Sequence, residues 1–444
     1  MIKRKIFLLV LFIFNTTNSI YINGGCCNSC KGKGKGKGTS KGEINNNNQS
    51  KQKNKNNIPN GNPLSKIIPG NIIQITDNKY PGNPTNPNNA QQNNPNNNIQ
   101  EPKNETVTPG LKGLQNVGAT CYMNATLQCF SNCRGFRTEL TEICKKLEKG
   151  KDGKHKLTFA LAEVLENLWS NNGEKCYSPN NFKDTIGKIN ALYEDNTAKD
   201  PSTLVMILLQ TIHKELNKTN HNISFNEGNN QDKIWMEYNN FMNKFRKQNN
   251  SIIINEFYYY QNRMETCGNC FNTSPKVQSN NILDFPLEEV RKFKGYIDNL
   301  VSIKDCFEYN QREQTFNDYY CSKCNQVTTF RYKTQIISAP KTLVINLNRG
   351  KGIEYDVKIK LEETMDIREF VFMNNSPYYY ELTGVICHFG ENNNAGHFIA
   401  YCKNSNNCKW YKFNDAFVEE CPFTEVQEKG LPYVLFYNYV DVGE

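Results

Sequence analysis

The composition changes sharply near residue 110, and that change limits what the chain can fold into. Before it, Asn, Gly, Lys and Pro dominate. Lys31 to Gly38 is a strict Lys-Gly alternation, and Asn45 to Asn98 is Asn-rich and broken by Pro. Neither stretch has the apolar period of a helix or strand, and neither can bury enough surface to offset the entropy of ordering. Both are expected to be disordered linker. About 330 residues remain, enough for one large core or two fused lobes.

Charge divides at the same place. The 444 residues carry +9, from 53 Lys+Arg and 44 Asp+Glu. Residues 1–109 hold 14 basic and 4 acidic groups, or +10; the rest hold 39 and 40, or −1. The folding part has no electrostatic bias toward phosphate backbones, so no nucleic-acid partner is expected. The Lys-Gly run could touch an anionic surface, but a solvated run is the plainer reading.

Residues 1–19 have the form of an export signal. Lys3-Arg4-Lys5 precedes nine apolar residues, Ile6 to Phe14, and Thr17-Asn18-Ser19 offers a small-residue cleavage site. Nine apolar residues cannot span a bilayer, which needs about 20. An uncleaved interfacial anchor is the alternative; a bacterial lipid-attachment site at Cys26 fits poorly after Asn23-Gly24-Gly25. No later segment is long and apolar enough for a transmembrane helix, so none is expected in the mature chain. The 17 cysteines, three of them at Cys26, Cys27 and Cys30, do not look like a disulfide scaffold. They suggest a reducing working compartment, which conflicts with export.

Order is expected from Leu111. Asn124 to Ser131, Phe159 to Trp169 and Thr203 to Leu216 have helical apolar spacing. From about Ile252 the pattern turns strand-like, with Val344, Ile345 and Leu347, then Val385 and Ile386, Phe398 and Ile399, and Tyr433 to Tyr437. A helical half followed by a β-rich half reads as α+β.

Chemistry concentrates in the string GLQNVGATCYMNATLQCF, residues 113–130. A Gly-rich turn delivers Cys121 to a helix start, where unpaired N–H groups and the helix dipole favour a thiolate and can hold an oxyanion. The Asn116 side chain could add a donor. A lone helical Cys is ordinarily a small buried hydrophobe, but this string is long and specific. A thiol nucleophile needs a base and a group to orient it. Among five His, His155, His213 and His221 lack strand surroundings with an orienting group. His388 and His397 flank a loop between two strand-like segments. Gly396 before His397 permits close backbone approach in a peptide groove, and Asn414 and Asp415 follow on the next strand, within reach of the imidazole. Cys, His, then Asn or Asp is the papain-like chain order.

Together these strings resemble the Cys box and His box of ubiquitin-specific proteases, over about residues 111–440. The resemblance implies a papain-like cysteine peptidase with a helical lobe, a β-rich lobe and a zinc-bearing β-hairpin extension. It makes Cys121 the nucleophile, His397 the base, Asn414 the third member, Asn116 an oxyanion donor, Asp415 a supporting acid and His388 a structural residue. It implies a thiol-dependent hydrolase acting after the C-terminal Gly of ubiquitin. The partners are then ubiquitin and ubiquitinated proteins, and the enzyme is a monomer. The alternatives are a protease for another ubiquitin-like modifier, a non-catalytic ubiquitin-binding module, or a secreted general protease.

Two Cys-x-x-Cys pairs, Cys267/Cys270 and Cys321/Cys324, offer four thiolates for a closed, structural Zn2+ site. Redox or disulfide pairs are the alternative. The gap of 50 residues is long for a compact ribbon; in the resembled family the knuckles sit at the tips of two hairpins. DPSTLVMILLQTIHKEL, residues 200–216, resembles the family helix whose acid, here Asp200, contacts the basic tail of ubiquitin. Thr203 stands where the family usually has Glu, and Leu204 where it has Phe; a core helix with a solvated cap Asp is the simpler reading. Asn124-Ala125-Thr126 is a glycosylation acceptor on the nucleophile's helix, so an exported chain must escape modification there. Export into a host cell, or by a bacterial route, would reconcile signal and chemistry.

Overall fold

A computed structural model describes residues 107–147, 153–219, 222, 224, 232–295, 300–350, 356–373, 375–392 and 395–441. The expected signal, the Lys-Gly run and the Asn-rich linker lie outside the described residues.

Seven helices come first: α1 (Cys121–Asn132), α2 (Arg134–Lys146), α3 (Lys156–Trp169), α4 (Asn180–Ile189), α5 (Pro201–Leu216), α6 (Lys233–Gln248) and α7 (Ile252–Phe257). The three segments with helical spacing fall in α1, α3 and α5. No described helix is long and apolar enough to cross a membrane.

Strands follow: β1 (Tyr259–Cys267), β2 (Thr273–Asn280), β3 (Leu283–Pro286), β4 (Gln314–Cys321), β5 (Gln326–Ser338) and β6 (Thr342–Asn348). Then come β7 (Tyr379–Asn392), β8 (Ala395–Lys403), β9 (Trp410–Asn414), β10 (Phe417–Cys421) and β11 (Leu431–Tyr439). They form two sheets. A four-stranded sheet runs β2-β1-β5-β4, and the main sheet runs β10-β9-β8-β7-β11-β6-β3 with Thr364–Asp366 paired to β7. The β3–β6 pair is parallel; its other pairs are antiparallel.

Period-two alternation explains why helices cover one face of the main sheet. Ile386, Ala400, Cys402, Phe413, Val434 and Phe436 join the buried cluster formed with α1, α3 and α5. Their neighbours Val385, Ile399, Tyr401 and Leu435 join a second cluster on the opposite face. Helix α1 is buried along its whole length, so its first residue is fixed against the sheet. The architecture is the α+β arrangement expected: a helical lobe, a β-rich lobe and a separate hairpin sheet.

Candidate active site

The turn before α1 is locked by one side chain. Asn116 Oδ1 accepts from the backbone N–H of Thr120 at 3.0 Å and of Gly118 at 3.3 Å. Thr120 Oγ1 in turn accepts from Val117 N–H at 3.0 Å. Ala119 takes a left-handed φ of 49°, unusual for a residue with a Cβ and a mark of a constrained turn. Cys121 emerges at the first helical position, 5% exposed. The first amides of a helix have no acceptor within it and point out of its start. They lie at the sulfur's own end of the helix.

His397 reaches this position from β8. Its Nε2 donates to Asn414 Oδ1 at 2.7 Å, which leaves Nδ1 for the thiol. The hydrogen bond to Cys121 is the largest influence on the ring: it outweighs desolvation and, with Asn414 and nearby Asp415, raises the imidazole to about 9. Asp415 Oδ2 lies 3.9 Å from Nε2, too far for a hydrogen bond but near enough to favour the imidazolium.

Asp415 is a junction. Its Oδ2 accepts from Asn116 Nδ2 at 3.0 Å and its Oδ1 from Asn124 Nδ2 at 2.8 Å. Its carbonyl accepts from Leu114 N–H at 2.8 Å, and its φ is 52°, a conformation Asp tolerates better than most. The neighbouring Ala416 carbonyl stands 2.2 Å from where a Cβ on Gly113 would be; only glycine allows that approach. The hairpin carrying Asn414 is therefore clamped to Gly113–Leu114, a two-residue strand leading into the Cys121 turn. Asn124, the glycosylation acceptor of the sequence, is 2% exposed, and its Nδ2 also donates to the Leu114 and Gln115 carbonyls.

Gly396 has a local reason to be glycine. A Cβ there would stand 2.2 Å from His388 Nε2 and 2.6 Å from the Phe389 carbonyl. His388 is buried, and burial, with Arg349 and His397 nearby, lowers its proton affinity. It lies on β7, opposite Phe398 of the His397 strand.

Asp200 caps α5. Its Oδ2 accepts from Thr203 N–H at 2.8 Å and Thr203 Oγ1 at 2.7 Å. Its Oδ1 is buried without a partner, as are Asn346 Oδ1 and the Tyr193 hydroxyl. Asp284 on β3 feels Asp200's charge; burial raises its carboxyl first, and Asp200 adds to that. Tyr193 stacks on Tyr122 at 6.3 Å, which links this acidic region to the residue after the thiol.

The four knuckle cysteines converge in the hairpin sheet, where β1 pairs with β5. All four sulfurs lie within 4.8 Å of one another. Cys267 Sγ to Cys324 Sγ is 3.9 Å, and Cys270 Sγ to Cys321 Sγ is 3.8 Å. A tetrahedron with metal–sulfur distances of about 2.3 Å has edges of about 3.8 Å, so the donor set fits zinc. Every cysteine among the described residues is a free thiol, which removes the disulfide alternative for these pairs.

A helix-start cysteine facing an imidazole on an antiparallel sheet, with an Asn behind it, is the arrangement of papain-like cysteine peptidases. Residues 112–437 match the model of the ubiquitin carboxyl-terminal hydrolase family, and the chain belongs to that family. It is 26% identical over 352 residues to ubiquitin carboxyl-terminal hydrolase 2 of Homo sapiens, covering 76% of this chain and 56% of that one. It is 26% identical over 373 residues to ubiquitin carboxyl-terminal hydrolase 5 of Saccharomyces cerevisiae, covering 74% and 44%. The chain thus spans about half the length of these relatives. The fold matches a solved SAGA Ubp8/Sgf11/Sus1/Sgf73 module bound to ubiquitin aldehyde, with TM-score 0.57, 21% identity, 76% of this chain and 71% of that one.

Proposed function

We propose that this chain is a thiol-dependent deubiquitinase that hydrolyses the isopeptide bond after the C-terminal Gly of ubiquitin. The observation that carries the proposal is the imidazole of His397, held by Asn414 at 2.7 Å and raised in proton affinity chiefly by Cys121. The Cys121 thiol gives its proton to His397 and its sulfur attacks the scissile carbonyl, forming the S–C bond. The oxyanion rests on the first amides of α1 and the second Asn116 N–H, since the first is given to Asp415. The C–N bond breaks as His397 protonates the departing lysine amine. Water then attacks the thioester, His397 takes its proton, and the C–S bond breaks to free the carboxylate.

Asp200 and Asp284 supply the acidic wall for a basic tail, because the Asp200 Oδ1, buried without a partner, is costly until a cation reaches it. Gly396 keeps the groove beside His397 narrow. Cys267, Cys270, Cys321 and Cys324 would hold a zinc ion, which would serve a structural role. Both halves of the site come from one chain, which supports a monomer as the working unit. A protease for another ubiquitin-like modifier is the second reading, because Thr203 turns its hydroxyl onto Asp200 and offers the tail no charge. Export remains part of the proposal, with the requirement that Asn124 carry no glycan. Turnover of ubiquitin and ubiquitin-like C-terminal conjugates by wild type and Cys121→Ala, side by side, tests the whole. Activity on ubiquitin conjugates that vanishes in the variant supports it, and activity that survives overturns it.

A further inference from the structure

The hairpin that carries Asn414 also displays an aromatic ring that the chemistry above does not use. Phe417 opens β10 and is 78% exposed, more than any other large apolar side chain among the described residues. A single exposed apolar residue is ordinary on a soluble protein; its position is what matters. Phe417 is the register partner of Asn414. Directly opposed residues of antiparallel strands share one face, with Cβ atoms about 4.5–5.5 Å apart. Asn414 bonds His397, so Phe417 is paired with the residue that holds the imidazole. Its mounting is rigid. The Asp415 carbonyl holds Leu114 N–H, the Ala416 carbonyl packs on Gly113, and Val418 packs against the core.

The order of the sheet decides which part of a substrate meets that ring. Phe417 lies on one edge strand with Asn414 on the strand beside it, and Asp284 lies on the opposite edge strand. Asp200 belongs to the Asp284 side, through their mutual charge and through Tyr193, which stacks on Tyr122 beside the thiol. If the acyl tail runs along the acidic side, as the proposed function has it, the amine departs past His397 toward Phe417. The leaving amine of an isopeptide is a lysine Nε, and the atoms joined to it are four methylenes. Such a stem packs readily on apolar surface while its polar end stays free.

We propose that Phe417 is a specificity residue on the leaving-group side, packing against the methylene stem of the modified lysine. It favours ε-linked conjugates over amides that have no stem. The inference rests on the isopeptidase reading and adds the recognition of the amine side to it.

Two conjugates test it: ubiquitin joined to the lysine Nε of a short peptide, and ubiquitin joined to the nitrogen of glycinamide. The readout is the ratio of their kcat/KM values. Phe417→Ala is expected to lower the ratio about fivefold, through KM of the lysine conjugate, and Phe417→Leu to keep most of it. An unchanged ratio in Phe417→Ala, whether both values fall together or neither falls, overturns the inference while leaving the isopeptidase reading intact. A wild-type chain that cleaves neither conjugate overturns both.

Discussion

Asn124 donates its side-chain amide to Asp415 Oδ1 at 2.8 Å, across 291 positions of sequence. That bond joins the helix that starts with Cys121 to the hairpin that holds Asn414. The thiol and the group orienting its base are thereby positioned by one buried contact, with Asn116 bonded to the other oxygen of the same carboxylate.

Removing the contact should therefore cost catalysis as well as stability. Asn124→Ala leaves one Asp415 oxygen unpaired, at about 1–3 kcal/mol. Asn124→Asp adds a like charge and should be worse. A kcat reduced roughly tenfold or more, with a lowered melting temperature, is the expected outcome by steady-state kinetics and thermal melts. A fall in melting temperature with unchanged kcat would confine Asn124 to a structural role.

The raised imidazole sets the pH behaviour. A folded value of about 9 against an ordinary 6.5 means the charged ring stabilises the folded site fully below 6.5, and that the contribution is lost as pH rises through about 9. The alkaline limb of kcat/KM should lie near pH 9 and report loss of the His397 proton. Asn414→Ala removes one of the bonds favouring the charged ring, so the limb should move to lower pH. A limb that stays in place would show that Asn414 does not act through His397.

Much of this site was legible in the chain because its members lie in short, chemically unusual strings. Cys121 follows a glycine-rich turn, and His397 and Asn414 sit on successive strands whose alternation is plain. The contacts that brace them were not legible. Nothing local pairs Asn124 with Asp415, because that contact exists only once β9 and β10 dock beside α1. Gly396 suggested close approach, but the side chain it makes room for, His388 across the strand, was not legible. Asp200 stood out as a helix cap, whereas the burial of its second oxygen depends on how Tyr193, β3 and β6 pack. The gap between the cysteine pairs closes because β1 and β5 are neighbours, a pairing that spacing alone cannot specify.

Gly396→Ala tests the strand behind His397. The added carbon meets His388 and a carbonyl below 3 Å, so the backbone must move, at about 1–3 kcal/mol. Activity should fall by roughly tenfold or more. Gly396→Ala combined with His388→Ala should recover part of the stability loss, since the ring is one of the two obstructions. Equal melting temperatures for single and double variants would exclude that contact as the cause.

Zinc should be found at one ion per chain by elemental analysis of the purified protein. Chelation, or Cys267→Ser, should lower the melting temperature by roughly 5 °C or more. It should also open the hairpin turns at 268–272 and 322–325 to proteolysis. A metal-free chain with protected turns would contradict a structural zinc.

The most direct test of the central claim is covalent capture by ubiquitin bearing a C-terminal electrophile, followed by peptide mapping. The expected result is one ubiquitin added per chain, on Cys121, with no adduct in Cys121→Ala and a much slower one in His397→Ala. No adduct on the wild type, or an adduct on another cysteine that persists in Cys121→Ala, would contradict it.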